Sequence, residues 1–213
     1  MLVMANSKKL GGRCVAGFDL NGLRWVRPTS SAVGSPLWPS STMVVDGGRQ
    51  RPVRPLDVVD FTPGHVTASP SHPEDVELRG NFSLVKQITL DDVRVLLADH
   101  QPAADTPFGS QSEFFDSMSL ESKPIGHSLE SWAVERVQVI RKTHLNGRLG
   151  VWGRIVFERE VVTYKITDDD FLLRHPHLMR LDNPLLTFSI GEPFSPNGLP
   201  PRNYILIAGV LIR

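Results

Sequence analysis

Residues 132–141, WAVERVQVIR, followed by Val151 to Glu158 (VWGRIVFE) and Val161 to Ile166 (VVTYKI), set three strand-like runs in a row. In the first run Trp132 and Val134 lie two apart, as do Val137 and Val139. The one-residue slip in phase between the two pairs predicts a long strand with a bulge. The turn His144-Leu-Asn-Gly147 carries Asn-Gly, the dipeptide best suited to a tight hairpin. After the third run, Asp168-Asp-Asp170 precedes Phe171, Leu172 and Leu173. Carboxylates cap free N–H groups and favour the positive end of a helix, so a helix starts there, and Pro176 keeps it short. Leu185 to Ile190 (LLTFSI) and Tyr204 to Ile212 (YILIAGVLI) complete the order as fourth and fifth strands.

Three strands, a short helix and two strands make the order of the OB barrel, a five-stranded Greek-key architecture that binds oligonucleotides and oligosaccharides; other small β-barrels share most of it. The first half reads as a less regular version. Arg13 to Phe18 (RCVAGF), the turn Asp19-Leu-Asn21-Gly22 and Leu23 to Arg27 (LRWVR) form a hairpin, again with Asn-Gly in its loop. Leu56 to Phe61 and Phe82 to Ile88 give two further strands, separated by Pro-, Gly- and Ser-rich loops at 28–54 and 62–81. Thr89 to Asp99 reads as a helix with a Thr cap and acids in its first turn. Residues 100–130 turn polar around an apolar island of Phe114, Phe115, Met118 and Leu120, which is either a short helix tucked on a barrel or a docking segment. The expected fold is mainly β: two tandem OB-like five-stranded Greek-key barrels with short helices. The first occupies 1–105, a linker 106–130 and the second 131–213.

Composition agrees with a packed β protein. Hydrophobic residues make 40% and charged residues 22% of the 213, which excludes a disordered chain, and the 17 Gly and 17 Pro fall between short apolar runs without a period. Cys14 is the one cysteine, so neither an internal disulfide nor a multi-cysteine zinc site is expected, which suits a reducing cytoplasm. Tyr204 to Ile212, the longest uncharged apolar run, falls far short of the roughly 20 residues a membrane helix needs. The opening MLVMANSKKLGG places apolar residues before lysines, opposite to a secretory signal, and the expected location is cytoplasmic with no membrane partner. The net charge of zero hides an uneven spread. Residues 1–54 carry eight Lys/Arg against Asp19 and Asp46, net +6; residues 55–130 are net −9 and residues 131–213 net +3. Either a basic surface faces an anionic partner, or the acidic middle third neutralises the basic parts internally.

Both halves place Trp-x-Arg on the second strand of an Asn-Gly hairpin: Arg24-Trp25-Val26-Arg27 and Trp152-Gly153-Arg154. Residues two apart on a strand share a face, so each Trp sits beside its Arg. An exposed indole beside a guanidinium stacks a base and holds a phosphate; the alternative is that each Trp fills its barrel core and the Arg pairs with an acid. The candidate nucleic-acid-binding residues are Arg24, Trp25, Arg27, Arg49, Arg51 and Arg54, with Trp152 and Arg154 as a second platform.

The opening Lys8-Lys-Leu-Gly-Gly-Arg-Cys14-Val-Ala-Gly17, Trp25-Val-Arg-Pro28-Thr-Ser30, Leu56-Asp-Val-Val59, Leu186-Thr-Phe-Ser-Ile-Gly-Glu-Pro-Phe194 and Tyr204-Ile-Leu-Ile-Ala-Gly209 together resemble the dual OB-containing domain family, over nearly the whole chain. The resemblance implies two OB folds in one compact unit, a nucleic-acid-binding role and an association with bacterial conflict and anti-phage systems. It brings no catalytic residues.

Other chemistry has weaker support. His175-Pro-His177, the Asp168 to Asp170 run and His144 could be assembled into the metal site of a hydrolase, but the acids already serve as a helix start and Pro176 prevents a helical His pair. Cys14 with His65 or His72 could pair as nucleophile and base, yet Cys14 lies in an apolar strand. The serine-elbow, phosphate-loop and dinucleotide motifs are missing, and Gly11-Gly12 follows no predicted strand. The expected function is non-enzymatic binding of single-stranded or structured DNA or RNA, without cofactor or metal. The alternative is a scaffold whose loops 28–54 and 100–130 dock a protein partner in a defence complex. The tryptophans separate fold from function. If they stack bases, Trp25→Ala and Trp152→Ala each weaken oligonucleotide binding by about 1–3 kcal/mol with little change in thermal stability. If they fill the core, each lowers stability by about 3–5 kcal/mol.

Overall fold

The computed structural model describes residues 1–30, 34–100, 102–143, 147, 149–157, 160–195 and 198–213; His144 and Asn146 of the second hairpin turn lie outside these. In the first half the strands are β1 (Leu2–Lys9), β2 (Gly12–Asp19), β3 (Arg24–Thr29), a small hairpin of β4 (Met43–Asp46) and β5 (Arg49–Pro52), β6 (Asp57–Val66) and β7 (Asp75–Gln87), followed by helix α1 (Leu90–Leu97). Five of them close a barrel in the order β1-β2-β3-β7-β6. All neighbours are antiparallel except β3 and β7, the arrangement of an OB barrel.

Strand β1 is absent from the sequence reading because Leu2 to Ser7 are all buried. A strand covered on both faces shows none of the apolar–polar alternation by which strands are read. Gly11 accordingly does follow a strand: Leu10 and Gly11, both with positive φ, form the tight turn into β2. At the next hairpin the left-handed residue is Leu23 (φ 47°) and not Gly22 of the Asn-Gly pair, and β3 starts one residue later than expected. Inside the barrel Val3, Val15, Val59 and Phe82 pack together, and Leu37, Val44 and Val53 from the long loop and its β4–β5 hairpin join them.

The second half contains β8 (Phe114–Asp116), α2 (Ser117–Ser122), β9 (Leu129–Ala133), β10 (Arg136–Thr143), β11 (Leu149–Phe157), β12 (Glu160–Ile166), α3 (Asp169–Arg174), β13 (Arg180–Asp182), β14 (Leu185–Phe194) and β15 (Arg202–Leu211). Its sheet runs β13-β10-β11-β12-β15-β14-β9, with β12 and β15 parallel. Strands β9 and β10 are successive pieces of one bent strand, interrupted at Val134–Glu135 where the sequence slips phase. One piece pairs with β14 and the other with β11, so the sheet curls into a second OB-like half-barrel. The apolar island attaches to this half: β8 pairs with β15, and Phe115 and Leu120 pack on the second core while Met118 stays exposed. Asp168 caps α3 by accepting from the Phe171 N–H at 3.0 Å and also accepts from the Val210 N–H of β15 at 2.9 Å. Burial raises its carboxyl to about 6 despite these two bonds.

The two halves meet along the outer face of β1–β2–β3. Ala5 and Ala16 pack with Leu129, Ala208 and the edge of Trp25. Beside them Leu2, Met4 and Phe18 pack with Leu185, Leu211 and the apolar face of α1. The approach is closest at Gly209, where a Cβ would lie 2.2 Å from the Met4 carbonyl oxygen, so only glycine lets the two backbones come this near. Gly209→Ala is therefore expected to lower unfolding free energy by about 1–3 kcal/mol in urea titrations through overpacking of the seam. Asp168 gives a second test. Its folded pKa lies above the unfolded value of about 3.9, so it favours the fold at low pH and loses that contribution as pH rises through 6. The stability difference between the parent chain and Asp168→Asn should grow in favour of the parent by about 2–3 kcal/mol from pH 7 to pH 4.

Candidate functional site

At one end of the seam the barrels part to leave a cleft of about 620 Å3. The first barrel contributes Lys8, Lys9 and Leu10 from the end of β1 and its turn, Cys14 from β2, Arg27 from β3 and His72 from the loop before β7. The second contributes Trp152 from β11, Thr163 and Lys165 from β12, and Ile190, Glu192, Tyr204 and Leu206 from β14 and β15. Glu113 and Phe194 stand at its exposed edge.

The charged side of the cleft is built from groups that tie the halves together. Arg27 is 3% exposed, and its Nε donates to Asp75 Oδ1 at 2.5 Å. Burial works against the charged guanidinium, but Cys14 and Asp75 beside it outweigh that cost and hold its pKa above the usual arginine range. Its Nη2 has no hydrogen-bond partner among the described residues, nor has Asp75 Oδ2. His72, 1% exposed, donates from Nε2 to the Ile190 carbonyl of the other barrel at 2.9 Å. Burial and the charge of Arg27 push its pKa down, so it is neutral at neutral pH and its Nδ1 accepts from the Ser71 hydroxyl at 3.1 Å. Glu192 Oε1 lies 3.6 Å from His72 Nδ1 and accepts from Lys9 Nζ at 2.9 Å. Glu74, next to Asp75, accepts from the Ser128 N–H and hydroxyl across the seam.

The opposite wall is the outer face of β11 and β12, the second and third strands of the second barrel. OB folds bind their ligands on this face. Trp152 and Lys165 are direct cross-strand neighbours, as are Arg154 and Thr163. Val151, Ile155 and Phe157 point into the core, which turns Trp152, Arg154 and Val156 outward. Trp152 is half-buried, while Arg154 and Lys165 are exposed. Lys8 and Lys165 make no ion pair among the described residues.

The structure brings only part of the sequence-derived set together. Trp152 and Arg154 share the outer face of β11, and Arg27 reaches the same cleft from the other barrel. Trp25 does share a face with Arg27, but that face is the seam: its indole packs edge-on against Phe18, with centroids 5.7 Å apart, and against both interfacial clusters. Arg24 is exposed, 3.8 Å from Asp19. Arg51 fastens the β4–β5 hairpin down. Its Nη1 and Nη2 donate to the fully buried Asp57 at 2.7 and 2.9 Å, and its Nε donates to Asp46 at 2.8 Å. Those hydrogen bonds hold its pKa far above the ordinary range. Arg49 and Arg54 are exposed on or beside the same hairpin and do not line the cleft.

Lys8, Lys9, Cys14, His72, Lys165 and Tyr204 are not legible in the sequence as one site, since they come from five separate segments. Lys165 alone carries a signal: it holds an outward phase in VVTYKI, one strand over from Trp152. Among the described residues no group of three or more His, Cys, Asp or Glu is placed to hold a metal ion, and no helix is long and apolar enough to cross a membrane. No curated protein and no solved structure matches the chain. A family model does, the dual OB-containing domain, across residues 1–210. That span takes in both barrels and the seam between them, and the chain belongs to the dual OB-containing domain family.

Proposed function

We propose that the protein binds nucleic acid, through the outer face of β11–β12 where it walls the cleft. OB folds commonly bind nucleic acids on this pair of strands. The observation that carries the reading is Trp152 beside Lys165, with Arg154 next along the strand: a half-covered indole to stack on a base, flanked by cations for the phosphates. The corresponding face of the first barrel is taken up by the seam, so the binding surface belongs to the second barrel, with the Leu10–Gly11 turn across from it. Leu10 is 89% exposed and holds φ 45°, an apolar side chain on strained backbone at the mouth of the cleft, as is common at ligand-binding positions. A place in a bacterial defence system is the biological setting that fits such a binder.

A second reading, a module that docks another protein, draws on the first half. Many of its cations are matched by acids, and Trp38 and Val45 stand 72% and 60% exposed in the long loop 28–54 and its hairpin.

Fluorescence anisotropy of labelled single-stranded DNA and RNA at low salt separates the two. Binding is expected, and Trp152→Ala should weaken it by about 1–3 kcal/mol, a larger effect on binding than on stability, because the indole is half-exposed in the cleft wall. Lys165→Ala should reduce the salt slope by roughly 0.7, the increment for one phosphate of a single strand that is no longer neutralised. Trp25→Ala should instead lower stability. Absence of binding to either nucleic acid at low salt removes the nucleic-acid reading.

A further inference from the structure

The cleft also holds a cation that the fold does not fully use. Arg27 lines the cleft, is buried and paired through Nε, and its buried Nη2 has no partner among the described residues. A buried donor left unmatched costs free energy comparable to a missing hydrogen bond, and a guanidinium offers its outer edge as a rigid fork suited to an oxyanion. Two further features favour an anion here. Lys9 reaches the same pocket, where its pairing with Glu192 cancels the carboxylate closest to His72. Lys8 and Lys165 add charge at the two lips, opposed by the exposed Glu113. The remaining lining is aromatic and aliphatic, with Trp152 and Tyr204 in the wall, and about 620 Å3 falls in the range of about 300–1,000 Å3 typical of small-ligand clefts. A strand merely crossing the β11–β12 face would leave the Arg27 end of the cleft unused. A terminal phosphate group would fill it.

We infer that the cleft is a nucleoside phosphomonoester site, in which Arg27 and Lys9 hold the phosphate and Trp152 stacks the base. The inference rests on the nucleic-acid reading of the same wall and deepens it. The recognised chemistry is a phosphate monoester beside a planar base, whether it is the phosphorylated end of a strand or a free mononucleotide.

Cys14 provides the readout. It is the only cysteine in the chain, is half-buried and lines the cleft beside Arg27, so its alkylation by the small neutral reagent iodoacetamide reports occupancy without any engineered label. The rate is measured with AMP, CMP, GMP and UMP, with the four nucleosides, with inorganic phosphate, and with one single-stranded oligonucleotide bearing a 5′-phosphate, a 3′-phosphate or only hydroxyl ends. Nucleotide-dependent rise in melting temperature is followed in parallel as a second reading of occupancy.

A monophosphate at about ten times its Kd should slow alkylation by roughly tenfold and raise the melting temperature, with the matching nucleoside far weaker. Lys9→Gln should weaken both effects while the protein stays folded, and Arg27→Gln should abolish them if it folds. Protection by a phosphorylated oligonucleotide but by none of the mononucleotides assigns the site to strand ends; the reverse assigns it to free nucleotides. Equal protection by nucleosides, or no effect of any phosphate on either measurement, overturns the inference. Failure here and failure of the broader reading are distinguishable. If the hydroxyl-ended oligonucleotide binds by anisotropy without slowing alkylation and terminal phosphates add nothing, strand binding stands and the phosphate site falls. If AMP protects Cys14 and no oligonucleotide binds, the site stands and strand binding falls.

Discussion

Close approach of β1 to β15, carbonyl of Met4 against Cα of Gly209, is the constraint on which the rest of the molecule depends. Because β1 is covered on one side by its own barrel and on the other by its neighbour, the two halves cannot be treated as separate units joined by a tether. The small residues Ala5, Ala16 and Ala208 let the sheets meet closely, and the larger Leu2, Met4 and Phe18 fill the space beside them together with α1. The same contact defines the cleft. Where the apolar packing ends, Arg27, His72, Lys9 and Glu192 take over, so the polar end of the seam and one wall of the pocket are a single set of groups.

This arrangement separates the two Trp-x-Arg hairpins, β2–β3 and β10–β11. Once β1 is counted, Trp-x-Arg lies on the third strand of the first barrel and on the second strand of the second, and the seam takes the first copy while the second faces the cleft. Trp25 became packing and Arg27 became half of a buried ion pair, an arrangement in which losing one partner costs far more than the pair contributes. Trp152 and Arg154 kept an open side because β11 lies away from the contact. Two similar motifs thus acquired different tasks from their position in the assembly of barrels, not from their own sequence.

What is legible in the chain follows the same division. Strands with one covered and one open face, such as β11 and β12, show their alternation, and the phase slip at Val134–Glu135 marks the bend that lets one strand serve two neighbours. The Asp168 helix start is readable because capping is local chemistry. Strand β1 is not, since burial on both faces erases the pattern, and neither is the β4–β5 hairpin, with four residues per strand in a Pro-rich loop. Face-sharing of Trp25 with Arg27 is correctly implied, but their burial depends on groups that no local pattern connects to them, Asp75 far along the chain and Ala208 farther still. The cleft is hidden for the same reason.

The pairing of Met4 with Gly209 also has a kinetic meaning. The two residues are separated by roughly 200 positions, so β1 leaves the ribosome long before the strand that covers its outer face exists. At the usual 5–20 residues per second, the first barrel spends on the order of ten seconds with Leu2, Met4 and Phe18 covered by α1 alone, before Leu185 and Leu211 exist. Small, shallow residues over much of that face limit how attractive it is to other chains in the interval. The arrival of β15 then closes the seam, covering β1 and joining β12 and β14 in the second sheet in one step.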